Sequence, residues 1–436
     1  SVNFGAIAKA TELKNRIVFT LLALIVYRLG TYIPIPGINP GALDDIFNQN
    51  TGGILGMFDM FAGGALSRMS IFALNIMPYI SASIIIQLMS SASPHLAQLK
   101  KDGDSGRQKI IQYTRYGTVI LASVQALGIA SGLENMTNSQ GPAVDNPGLF
   151  FKLSTIITLT GSTVFLMWLG EQITARGIGN GISLIIMAGI VAELPAAMIS
   201  TLELGKTGAL SGLLIMFFLI LAAVVITFIV FVERGQRRIT VQYPKRQVGM
   251  KIMGGQSSHL PLKINTAGVI PPIFASSILL LPVTALSINA GSGPEWLMSV
   301  TSLLGRGQPL YMLLYVSAIV FFAFFYTSIV FNAQDTAENL KNNGGFVPGI
   351  RPGEATGKYI EYVLTRLTVI GSAYLSLVCL LPEILISKYS VPFYLGGTSL
   401  LIVVTVTMDT VAQVHSHLIA HQYEGLIKKA KLRGRL

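Results

Sequence analysis

Three histidines fall close together near the end of the last long apolar run: His415, His417 and His421. Histidine is a common metal ligand, so such a cluster could hold a transition-metal ion. An i, i+2, i+6 spacing spreads the imidazoles around a helix instead of along one face, so no metal site is expected. The glycine-rich stretch "GIGNGIS" at 177–183 lacks the G-x-G-x-x-G spacing and the preceding strand of a dinucleotide-binding turn. No H-E-x-x-H, Walker A or nucleophile-elbow pattern occurs. The single cysteine, Cys379, allows no intrachain disulfide. Neither catalysis nor a cofactor is expected. Two ionisable residues stand out inside apolar runs, Arg28 and Asp409. A charge in a membrane span is a functional marker by default. Arg28 lies near the end of its run, where its stem can carry the charge to the interface, and reads as structural. The role of Asp409 stays open.

The elements that would position these residues are membrane helices. Of 436 residues, 51% are hydrophobic and 12% charged, against about 25% charged in soluble domains. Several runs approach or exceed 18 apolar residues, the length that crosses a bilayer. Read against proline, glycine and polar breakers, spans are expected near 17–36, 71–92, 113–133, 151–171, 178–199, 210–232, 267–289, 310–331, 367–387 and 395–417. The first run, Ile17 to Ile33, lacks an A-x-A-like exit and reads as an uncleaved span. An even number of spans puts both termini on one side. If that side is cytosolic, its segments hold 25 of the 31 Lys and Arg residues, as the positive-inside rule requires.

The spans divide into five and five, giving halves at 1–205 and 206–436. Each half has one span interrupted early, "NIMPYIS" in the second and "GVIPPIF" in the seventh. Paired interruptions point to an internal repeat around a central pathway, although ordinary proline kinks would look the same. Two cytosolic segments are larger than connectors. In 233–265, Ile239, Val241 and Tyr243 alternate with polar residues, which predicts a β-hairpin carrying Arg237, Arg238, Lys245, Arg246 and Lys251. In 332–366 a polar helical stretch, "AQDTAENLKNN", precedes "FVPGIRPGE", whose prolines stiffen a tip presenting Arg351. Basic loops beside a membrane can serve topology or anionic lipid. Their size and rigidity also suit a docked partner such as ribosomal RNA or an acidic protein face.

Residues 57–69, "MFDMFAGGALSRM", are too few to span the bilayer as a helix, reaching only about 20 Å where about 30 Å is needed. The stretch also carries Asp59 and Arg68. A re-entrant or interfacial segment is the default reading.

The stretches "YIPIPGI", "MFAGGALSRMSIFALNIMPYISASIIIQL", "GDSGRQKIIQYTRYGT", "MWLGEQITARGIGNGIS", "VFVERGQRRI", "FVPGIRPGEAT" and "VPFYLGGTSLLIVV" resemble bacterial SecY, the channel-subunit family of the Sec protein translocase. The likeness runs essentially from end to end. It implies an all-α multi-span fold of ten transmembrane helices, in two inverted pseudo-symmetric five-helix halves around an hourglass pore. A short plug helix and a cytosolic β-hairpin-like loop complete it. The function implied is conduction of unfolded, signal-bearing polypeptides across the cytoplasmic membrane, with sideways release of apolar segments between spans 2–3 and 7–8. Implied partners are the SecE and SecG subunits, the SecA ATPase motor, a translating ribosome, secretory substrates and lipids.

By this resemblance, 57–69 is the plug of a resting pore, with Phe58, Phe61, Gly63, Gly64 and Arg68 among its residues. The glycines remove bulk where close approach is required. The pore ring maps onto Ile76, Ile80, Ile182, Ile186, Val269, Ile273 and Ile402, and the lateral gate onto Gln87, Gln125 and Asn180. Branched alkyl groups offer an ion no substitute for its hydration shell, so a closed ring of them blocks ions by dewetting. The hairpin tip departs from the family pattern: two adjacent basic residues are replaced by Met250-Lys251, whereas Arg351 is intact. Docking through Arg351 is therefore the firmer expectation. The rival from another class is a secondary transporter with inverted repeats, which would need convergent polar groups at mid-depth.

Overall fold

The computed structural model describes residues 11–39, 59, 62–134, 137–138, 141–207, 211–244, 246–248, 251–253, 257–288, 308–389 and 397–433. Twelve helices occur among them: α1 (Thr11–Gly30), α2 (Met77–Ala92), α3 (Pro94–Lys101), α4 (Asp104–Glu134), α5 (Leu149–Arg176), α6 (Gly181–Lys206), α7 (Gly212–Arg234), α8 (Ile270–Ile288), α9 (Pro309–Val330), α10 (Ala333–Asn342), α11 (Glu354–Tyr389) and α12 (Gly397–Arg433). All but the short α3 and α10 answer to the ten expected spans. Seven stretches, covering α4–α7, α9, α11 and α12, are long and apolar enough to cross a membrane, and α2 and α8 contain shorter apolar stretches.

Several boundaries differ from expectation, each for a local reason. The second span is not helical from 71: residues 71–76 form turns, and α2 starts at Met77 with Pro78 in its first turn. Proline lacks an N–H, and a first-turn N–H has no intrahelical partner, so the residue fits there and not in mid-helix. The seventh span repeats the device, α8 starting at Ile270 with Pro271 and Pro272 next. The two interruptions are thus helix starts, not kinks. Helix α1 ends at Gly30, where a Cβ would lie 1.9 Å from the Phe72 ring. Beyond it the chain turns and bridges Pro34 to Ser70. Helices α4, α11 and α12 run past the expected apolar limits, because no breaker separates their polar ends from the membrane-spanning portion.

Helix α4 packs between α2 and α5, and α9 between α8 and α11, while α8 also lies against α2 and α4. The main buried core runs from Tyr27 on α1 to Val406 on α12, and the buried alanines of α4 form a second one with Leu66, Met69 and Leu159. Where α12 begins, its backbone presses on α11: a Cβ on Gly397 would lie 1.8 Å from the Val378 carbonyl oxygen and 2.8 Å from Cys379 Cα. Backbone cannot swing aside as a side chain can. Gly397→Ala is expected to destabilise the fold by about 1–3 kcal/mol, read as a lower melting temperature of the detergent-solubilised complex.

The predicted hairpin is present. Strand β3 (Gln236–Gln242) pairs antiparallel with β6 (Ser257–Lys263), and β4 (Arg246–Val248) with β5 (Lys251–Met253), in register from Gln236↔Lys263 to Val248↔Lys251. The small β1–β2 pair joins 137–138 to 141–142. Ile239 and Val241 are buried while their neighbours on the strand are exposed. What covers them is the segment 332–366. Gln242 and Phe346 exchange backbone hydrogen bonds of 2.9 and 3.0 Å, and Ile239 and Leu262 share a core with Ala333, Val347 and Ile360. The two loops form one body. Its root is tied by Asn265 Nδ2, which donates to Glu233 Oε1 at 2.7 Å across 32 residues of chain.

Candidate functional site: a closed apolar constriction

Four helices begin at one place. Ile76 caps α2 and Ile80 lies one turn in, with a backbone bond of 3.1 Å between them. Ile182 and Ile186 occupy the first turns of α6, Asn180 capping it by accepting from the N–H groups of Ile182 and Ser183 at 3.1 and 3.4 Å. Val269 and Ile273 flank the start of α8, and Ile402 lies in the second turn of α12. The structure gathers all seven into the main core: five are buried, and Ile182 and Ile273 pack half-buried against them. Asn75, Ile76, Met77, Ile80, Ile186 and Ile273 enclose a cavity of about 10 Å³, room for no more than about one water. A void that small and apolar stays dry.

Contacts along α6 fix what lies on either side. Near its start the Gly179 N–H donates to Gln413 Oε1 at 2.9 Å. The isoleucines follow, and beyond them a Cβ on Gly63 would lie 2.9 Å from Gly189 Cα. The segment from 62 therefore sits on the face of the constriction opposite the hairpin root. Asp59 and Ala62 are helical, and the chain then continues as turns to Met69. Gly63 (φ 65°) and Gly64 (φ 74°) take the left-handed conformation that glycine adopts at no steric cost. Among the described residues of the expected plug, those from Gly63 to Met69 are not helical. Phe58 and Phe61 lie outside the described residues.

Charged groups hold this segment. Asp59 accepts from the N–H groups of Leu66 and Ser67 at 2.9 and 2.8 Å. Arg28 Nη1 donates to the Gly63 carbonyl at 2.7 Å, which gives the intramembrane arginine its structural role. Glu193 Oε1 lies 4.0 Å from Arg28 Nη2 and 3.6 Å from Arg68 Nη2, and both guanidinium groups stack over the Tyr32 ring. No motif marks Glu193. Its signal in the sequence is a lone carboxylate within the fifth apolar run.

The other expected site residues are placed less uniformly. Gln87 on α2 and Gln125 on α4 keep buried side-chain oxygens without a hydrogen-bond partner among the described residues. Asn180 is an exposed helix cap whose oxygen is already engaged. Arg237, Arg238 and Arg351 are exposed. Arg246 and Lys251 are placed by their strands alone, and Lys245 lies outside the described residues. Arg351 forms no ion pair among the described residues. Lys358 is bound to Glu354 at 2.8 Å, a contact that lowers the carboxyl pKa and raises that of the ammonium. Asp409 is exposed and faces Lys263 at 3.9 Å, a solvated pair at the hairpin root. His415 and His417 are exposed, and no cluster of three His, Cys, Asp or Glu residues among those described could hold a metal.

Fold and constriction together define a multi-pass helical membrane protein closed at its centre by an apolar ring. Residues 70–411 match the SecY family model. The chain is 57% identical to "Protein translocase subunit SecY" of Escherichia coli strain K12 over 97% of its own length and 96% of that protein. It is 56% identical to the Rickettsia conorii protein of the same name, over 97% of each. It belongs to the SecY family. The fold also matches two solved structures at low identity. One is described as "The structure of a protein conducting channel" (TM-score 0.68, 17% identity, 93% of this chain and 92% of that one). The other is "Sec61 in the Canine ribosome-channel complex from the endoplasmic reticulum" (TM-score 0.64, 16% identity, 93% and 92%).

Proposed function

We propose that this chain is the protein-conducting channel of a translocase in the cytoplasmic membrane, with both termini cytosolic. It passes unfolded, signal-bearing polypeptides through the constriction and releases apolar segments into lipid between its two halves, 1–205 and 206–436. The observation that carries this reading is the apolar constriction: Ile76, Ile80, Ile186 and Ile273, at the starts of three helices, close on a cavity of about 10 Å³, and Ile182, Val269 and Ile402 belong to the same core around it. Alkyl groups make no directional demand on a passing chain and yield around it, whereas they give an ion nothing in exchange for its water. A solute transporter would need convergent polar groups there. Asn75 is the one polar residue among those lining the cavity.

The chain does no chemistry in this reading, so energy comes from partners, the SecA ATPase or a translating ribosome docked on the basic cytosolic body. SecE and SecG complete the complex. The relatives' name, protein translocase subunit, supports membership of a complex, and a Sec61 chain described in a ribosome–channel complex supports the ribosome as one partner. The test is contact with cargo. With Ile402→Cys, a secretory chain arrested in transit is expected to crosslink to this position. A cysteine at Phe231, 77% exposed on the outer face of α7, serves as the silent control. Equal labelling at both positions, or none at Ile402 in an assembled complex, overturns the reading.

A further inference from the structure

We propose that Glu193 is an ionic latch that holds the segment 59–70 against the constriction, so that opening the channel requires its carboxylate to part from two arginines. The inference rests on the channel reading above. Three features of the geometry carry it.

First, the carboxylate lies between partners from two different pieces of chain. Arg28 is fixed on α1 and Arg68 travels with the segment, and their guanidinium groups stand 4.0 and 3.6 Å from the same Glu193 oxygen. Removing the segment takes Arg68 away and also breaks the 2.7 Å bond from Arg28 to the Gly63 carbonyl. Second, the fit is local and tight. A Cβ on Gly64 would lie 2.6 Å from Glu193 Oε1, so the segment's backbone reaches the carboxylate only because that residue has no side chain. Third, the contacts suit release. At these distances the pairs are Coulombic, beyond good hydrogen-bond length, and their side chains are about a quarter to a third exposed. Pairs of that kind are worth little individually. Two sharing one carboxylate bias a closed state without locking it.

The chain just beyond the latch is held in place. Met69 (φ 41°) is a non-glycine residue in the left-handed region, a conformation that persists only when surrounding contacts enforce it. The segment's far end is pinned by the bonds from Ile35 N–H to the Met69 carbonyl (3.0 Å) and from Ile71 N–H to the Ile33 carbonyl (2.9 Å). These make a natural pivot about which 59–68 can swing while 69–71 stays in place.

The experiment measures resting conductance of the complete purified channel complex in planar bilayers, with no cargo present. A chain lacking 57–69 is the reference for a fully unplugged pore. Glu193→Gln keeps the side chain's shape and removes its charge, and is expected to raise the resting open fraction about two- to tenfold. Glu193→Asp retains the charge and recovers much of the closed state. Arg68→Gln opens the channel less than Glu193→Gln, and combining the two adds little, because both remove the same contact. Should Glu193→Gln fail to assemble, Arg68→Gln and Arg28→Gln read the same latch from its other side. A deletion that leaks while every charge variant stays as silent as the parent overturns the latch and leaves the plug intact. A deletion that is itself silent overturns the plug reading beneath it.

Discussion

Replacing Ile76, Ile182, Ile273 and Ile402 together with asparagine is expected to turn a silent membrane into an ion-conducting one while protein export continues. Ile76 and Ile273 line the cavity and Ile182 and Ile402 belong to the core around it, so the substitution puts polar groups at the constriction from four helices. On the proposed reading the constriction excludes ions because its cavity of about 10 Å³ holds no more than about one water and its walls offer nothing to replace an ion's hydration shell. Each carboxamide supplies a donor and an acceptor, so water can occupy the gap and ions can follow. Export survives because a moving polypeptide does not depend on the walls being apolar, only on their yielding. Single-channel conductance measured beside a secretion assay gives the result. Were the seven residues an ordinary core, the same variant would lose stability with no gain of conductance, because buried polar groups without partners cost about 1–3 kcal/mol each.

The second large effect belongs to Arg351. Arg351→Glu is expected to abolish stimulation of the motor ATPase by the channel, whereas Lys358→Glu changes it little. Arg351 is exposed, forms no ion pair among the described residues, and sits on a stretch stiffened by Pro348 and Pro352. Lys358 is already committed to Glu354 at 2.8 Å. Charge reversal at a contact replaces attraction with like-charge repulsion worth several kcal/mol, enough to weaken binding by at least about a hundredfold. A lysine paired within its own helix and screened by salt offers a partner far less. Small and equal effects of the two substitutions on ATPase stimulation would remove Arg351 from the docking surface.

Much of the architecture is legible because bilayer thickness imposes a length on apolar runs. All ten expected spans have a helix. The hairpin is readable too, since Ile239 and Val241 alternate with polar neighbours at a strand's period. Boundaries are less legible. Hydropathy reports where a segment prefers lipid, not where its backbone starts to hydrogen-bond, so the six turn residues before Met77 look like part of a span. The ring is visible from residue types only as β-branched pairs at i, i+4, and that spacing is ordinary packing in most proteins. Family resemblance is what singled the residues out, and convergence of four helix starts is a tertiary fact. Glu193 shows the opposite failure. It was in plain view as a carboxylate in an apolar run, yet its partners, Arg28 and Arg68, are remote in sequence and meet it only once the chain folds.

The bridge between Gln242 and Phe346 has a mechanical consequence. With the hairpin and the second loop bonded edge to edge, a force applied at either tip loads both. The load leaves by two exits. One is α11, which continues directly from the second loop. The other is the short stretch after Lys263, which passes the Glu233–Asn265 tie and then becomes Val269 and α8. The body formed by the two loops is therefore the long arm of a lever whose short arm carries two residues of the constriction. Asn265 Nδ2 also donates to the Gly268 carbonyl at 3.0 Å, which leaves little slack in the joint. Torque from a docked machine would arrive at Val269 and Ile273 before any cargo touched them, and the stiffness of that joint sets how much docking alone loosens the seal.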